Sequence, residues 1–227
     1  MPKNETKDKH IIIGMCATII YIIFSIIYMI ITLLGLIELK SPNDPISNPY
    51  FTIMELLIII IAPLLVLIMV TILKYASENY KIFAIIALIF MSIMATITSS
   101  VHFVILTVKS HFDAINPVNS QIFFSFTWPS IVYALDILAW DVFFALSMIF
   151  AAFVFNNDRI EKIIKYFMLA SGVLALLGII GVPIANMTVR NIGIIGYAII
   201  SPIAISILTI LYVRIYRETK KTSLKYF

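Results

Sequence analysis

Apolar residues run along this chain in six long blocks, at residues 11–37, 51–73, 82–108, 130–155, 163–185 and 192–213, separated by short polar joints. At about 1.5 Å of rise per residue, each block is long enough as a helix to cross a hydrocarbon core of about 30 Å. The pattern predicts an all-α, polytopic integral membrane protein, a six-transmembrane-helix bundle forming a single domain over residues 1–227. The first block is too long for a signal-peptide core and lacks a small-x-small cleavage pattern, so it is expected to remain as a span. The last three blocks do not repeat the first three, and an inverted-repeat transporter plan therefore has no support.

The joints carry their own start signals. Asn48 followed by Pro49 predicts an N-cap and first helical position for the second span. Asp158 and Glu161 have the spacing of an acidic capping box ahead of the fifth. Ser171, Ala175 and Gly178, with Gly172 and Gly181 beside them, form a small-residue stripe suited to close helix packing in lipid. Pro63 and Pro202 each remove a backbone hydrogen bond and are expected to kink their helices. The joint from Lys109 to Pro129 is the longest, and its aromatic run QIFFSFTW predicts a segment resting at the membrane interface or lying over a site as a lid.

Composition agrees with the membrane class. The chain is 62% hydrophobic and 12% charged, with mean hydropathy +1.06, whereas soluble domains are about a quarter charged. One cysteine, Cys16, excludes an internal disulfide and a cysteine metal cluster. A net charge of +4 does not point to nucleic acid, because the basic residues sit at block ends. Of the 16 Lys and Arg, 13 fall on one side, and only Lys40, Lys109 and Arg190 on the other. The positive-inside rule then predicts both termini in the cytoplasm and residence in the cell (cytoplasmic) membrane, with the lipid bilayer as partner.

Against this apolar background the polar residues stand out. Asp141 falls about 9 Å inside the outer boundary of the core, and Asp136 near that boundary. Glu55, His102, Arg190, Asn191 and Tyr197 reach similar depth from other spans, with Tyr133, Trp140 and Trp128 around them. An ionisable group inside a span is costly unless paired, hydrated or protonated, and raises a functional-site question. At 3.6 residues per turn Asp136 and Asp141 stand about 140° apart, which disfavours a two-carboxylate dyad and leaves Arg190, His102 or Asn191 as partners for Asp141. Asp136 falls instead on a stripe with Tyr133, Trp140, Phe144 and Ser147. The inner half offers no comparable polar path.

Each candidate also has a plain structural role. Glu55 can snorkel to water, His102 can be a satisfied core histidine, Asp141 can form an interhelical ion pair, and Trp128 and Trp140 fit an aromatic belt. Metal spacing such as H-E-x-x-H is absent, as are a nucleophile elbow, a P-loop and a dinucleotide fingerprint, so no metal and no cofactor are expected. Three readings follow. The first is a non-enzymatic protein binding or sensing a small or lipophilic ligand, or an ion, through Asp141, Asp136, His102, Arg190, Asn191, Tyr197, Trp128, Trp140, Tyr133 and Glu55. The second is an intramembrane lipid-modifying or hydrolytic enzyme with His102 as base, oriented by Asp136 or Asp141. The third is a structural membrane subunit.

Overall fold

A computed structural model describes residues 2–41 and 44–224. Pro42 of the first joint and Lys225 of the basic tail lie outside the described residues. The described chain is helical without strands. Its elements are α1 (Pro2–Ile37), α2 (Tyr50–Tyr75), α3 (Glu78–Ile115), α4 (Pro117–Phe124), α5 (Ile131–Ala152), α6 (Arg159–Gly181) and α7 (Met187–Lys221). All but α4 contain a stretch long and apolar enough to cross a membrane.

The six long helices form a ring in chain order. Each packs on its sequence neighbours, and α7 returns to α1. Short joints make successive helices antiparallel. Glu55 of α2 meets His102 of α3, Ala87 meets Ser147 of α5, and Ser171 of α6 meets Gly196 of α7. Gly14 of α1 lies against Tyr212, while Tyr21 meets Ser201. One end of the bundle therefore carries Lys74, Lys81, Arg159 and Arg214, and is called the basic end below. The opposite, distal end carries Arg190 and the joint after α3. Between them an apolar belt of Leu65, Ile68, Met69, Met148, Ile205 and Leu208 fills the ring, none more than 1% exposed. The outward faces are Ile- and Leu-rich, as lipid contact would require.

Local signals mostly act as read. Asp158 caps α6 by accepting the Glu161 amide at 2.9 Å. That bond, with Arg214 beside it, holds the Asp158 carboxyl below its ordinary range. Glu161 does not close a capping box. Its buried carboxylate instead accepts the Asn156 and Asn157 amides at 2.9 and 2.8 Å and the Tyr75 hydroxyl. Asn48 bonds the Thr52 amide and hydroxyl, although α2 starts one residue later than the Asn–Pro pair predicts. Pro63 lies inside α2, which runs unbroken past it. Pro202 lies two residues after a π-helical segment, Ile195–Ile200.

The joint after the third span needs correction. It is mostly helical: α3 continues to Ile115, and α4 follows after Asn116, whose side chain caps it. The continuation is held by Lys109 to Asp113 at 2.6 Å and by Ser120 on the other Asp113 oxygen. The half toward the basic end also holds more polar structure than the sequence suggests. Thr71 and Tyr212 share a hydroxyl bond of 3.0 Å one turn from the Tyr75–Glu161 contact. Tyrosines and a capping glutamate look like interfacial residues in a linear pattern, and only the ring turns them inward.

Candidate functional site

The distal half of the bundle encloses a polar layer built from four helices. On α2, Glu55 sits one turn in and is 3% exposed. On α3, His102 lies four residues after Thr98, so both project from one face. His102 Nδ1 is 2.7 Å from Glu55 Oε2. An ionised Glu55 accepts there from Nδ1–H, and a protonated Glu55 donates to a bare Nδ1. The other ring nitrogen, Nε2, stands 3.5 Å from Asp136 Oδ1 of α5 without hydrogen-bond geometry. Thr98 donates to that same Asp136 oxygen at 3.2 Å and accepts from the Trp140 indole at 3.0 Å. A single imidazole therefore lies between two carboxylates, and Asp136 is oriented by a Trp–Thr chain.

The second half of the layer is an ion pair. Arg190 Nε, at the start of α7, donates to Asp141 Oδ2 at 3.1 Å, with the two residues 2% and 0% exposed. The guanidinium lies over the Tyr133 ring at 5.2 Å and the Tyr197 ring at 5.9 Å. Trp140 packs on Tyr197 and Phe144. The small-residue stripe makes this approach possible. A Cβ on Gly178 would stand 2.8 Å from the Arg190 carbonyl and the Gly193 amide, and one on Gly193 would stand 2.5 Å from Asp141 Oδ1. With side chains at those positions α7 could not come close enough for Arg190 to meet α5.

Helical geometry departs from the ideal around the layer. Leu138–Phe144 of α5, Ile195–Ile200 of α7 and Ile105–Lys109 of α3 are π-helical. A π turn is wider than an α turn, and the stretch from Asp136 to Asp141 passes from one into the other. The two acids still serve different partners, because Asp136 faces α3 and Asp141 faces α7. The Ile195–Ile200 segment carries Tyr197, and Leu138–Phe144 carries Trp140 and Asp141.

The structure brings together Glu55, His102, Asp136, Asp141, Arg190, Tyr133, Trp140 and Tyr197. Asn191 is exposed, and its backbone amide closes a turn on the Met187 carbonyl. Trp128 is half-buried on the link before α5 and, among the described residues, takes no part in the ring contacts of the layer. Two residues that the linear pattern did not single out belong to the layer. Thr98 was detectable from its four-residue spacing to His102. Phe126, in the aromatic run read as interfacial, stacks on His102 with ring centroids 5.4 Å apart and meets Phe51 and Tyr133 edge-on. It closes the layer from the distal side.

Three buried polar atoms among the described residues have no hydrogen-bond partner: His102 Nε2, Asp141 Oδ1 and Arg190 Nη2. All three belong to this layer. Such atoms cost about 1–3 kcal/mol each when left unsatisfied, and their grouping in one layer calls for an explanation. Comparison with protein families, curated proteins and solved structures finds no match to this chain.

Proposed function

We propose that this is a multi-pass membrane protein of the cell membrane, basic end in the cytoplasm, that binds or senses a small ligand or ion at the distal polar layer. The observation that carries this reading is the concentration of unpartnered buried polar atoms on three charged side chains that share one layer. A layer that served only to lock helices would be expected to satisfy its own donors and acceptors. Asp141 Oδ1 is a free acceptor and Arg190 Nη2 a free donor on the two members of one ion pair, and Tyr133, Tyr197 and Trp140 supply an aromatic wall. Conduction is less well supported, because the belt from Leu65 to Leu208 separates the layer from the basic end. The hydrolytic reading is weaker too. Asp141 is committed to Arg190, and each nitrogen of His102 faces a carboxylate rather than a hydroxyl nucleophile.

The test is thermal unfolding of the purified protein at fixed pH across a panel of lipids and metabolites. At least one compound is expected to raise the melting temperature of the wild type and to lose that effect in Asp141→Asn and His102→Ala. A panel with equal effects on the wild type and both variants would remove the reading.

A further inference from the structure

We infer that Glu55, His102 and Asp136 form a proton-binding relay, so that the ion received by the polar layer is a proton. This rests on the ligand-binding reading above and names its ligand. The first ground is charge. With a neutral imidazole the layer holds three carboxylates, Glu55, Asp136 and Asp141, against one guanidinium, Arg190. Two uncompensated negative charges in a layer this buried are expensive. One proton on His102 and one on a carboxyl make the layer neutral.

The second ground is geometry. His102 is the one side chain in the layer that can hold a proton on two opposite sides, and each side faces an acid. Nδ1 is 2.7 Å from Glu55 and Nε2 is 3.5 Å from Asp136. The side chain of Asp136 is 13% exposed and that of Glu55 4%, so Asp136 is the less enclosed of the two acids. Nε2 lacks a hydrogen-bond partner in this arrangement. A slight ring rotation under Phe126, or one bridging water, brings it into bonding reach of Asp136.

The transfer balances. A protonated Asp136 carboxyl gives its proton to Nε2, and the imidazolium so formed releases the Nδ1 proton to Glu55. The products are Asp136 carboxylate, the Nε2–H tautomer of His102 and a neutral Glu55 carboxyl. One proton has moved from Asp136 to Glu55 with no change in total charge. The other titratable or charged groups facing the relay are Tyr28 of α1, Tyr133 and Asp141 of α5, and Arg190 and Tyr197 of α7. Arg190 is held by Asp141, which leaves the relay carboxylates without a fixed cation of their own.

Trp140 is a built-in reporter, because its indole is bonded through Thr98 to Asp136. In a Trp128→Phe background Trp140 is the sole tryptophan, and its emission is followed in micelles across the range where imidazole and carboxyl groups titrate. A titrating emission is expected. It should be lost in His102→Gln and should shift in Glu55→Gln to at least tenfold higher proton concentration, because the imidazolium loses its counter-ion. In parallel, His10→Gln/His111→Gln leaves His102 as the only histidine for nitrogen-15 NMR. Its ring is expected to pass between a doubly protonated form and a single tautomer. Emission that stays flat while the helical circular dichroism persists overturns the relay. So does a titration retained in His102→Gln, or a His102 ring fixed in one protonation state. If the emission is flat but ligand stabilisation persists, the relay fails and the Asp141–Arg190 half remains the binding site. A titration without any stabilising ligand supports the relay and confines the layer's ligand to the proton.

Discussion

Arg190 reaches across from the start of α7 and closes on Asp141 of α5, Nε to Oδ2 at 3.1 Å, with both side chains out of contact with solvent. Breaking such a pair from one side leaves a buried charge alone, which costs about 3–5 kcal/mol. Asp141→Leu is therefore expected to lower the unfolding free energy by about that amount in micelles. Asp141→Leu/Arg190→Leu should recover most of the loss, because the double variant buries no charge. Chemical denaturation of the four members of the cycle measures the coupling. Additive losses would show that the two residues do not act as a pair.

Gly193 is the position where packing and the ion pair meet. A methyl group there would stand 2.5 Å from Asp141 Oδ1, an atom that cannot retreat without leaving Arg190. Gly193→Ala is expected to cost about 1–3 kcal/mol, as overpacking does. Gly35→Ala meets mainly the Ile46 side chain on an exposed joint, which can turn aside, and should cost much less. Melting temperatures of the two variants decide the comparison.

Orientation in the bilayer is open to direct measurement. With Cys16→Ser as background, Ser47→Cys reports the joint between α1 and α2, and Ser77→Cys the joint between α2 and α3; both positions are exposed. By the positive-inside rule the excess of Lys and Arg at the basic end predicts that end in the cytoplasm. A membrane-impermeant maleimide applied to intact cells is expected to label Ser47→Cys, and to label Ser77→Cys only after permeabilisation. The reverse pattern would invert the bundle.

Although the start of α2 falls one residue later than predicted and the third joint is mostly helical, the six apolar blocks, most of the joints and the cap at Asp158 were legible in the linear pattern. They depend on local forces: transfer of contiguous apolar residues, and hydrogen bonds between neighbours a turn apart. Asp141 was visible as costly for the same reason, since depth along a helix follows from counting residues. The α4 helix was missed because its aromatic residues fit an interfacial segment as well as a helix. Tertiary structure decided the partners. The choice of Arg190 over Asn191 for Asp141 depends on α6 glycines drawing α7 against α5. The pairing of Glu55 and Asp136 on opposite sides of His102 depends on ring closure, with residues 47 and 34 positions apart brought within 3.5 Å. Asp136 and Asp141 serve different helices, as their five-residue spacing suggests, across a segment whose turn is π-helical. Burial cost can be read from a single helix, but the group that offsets it belongs to another, and only packing selects it.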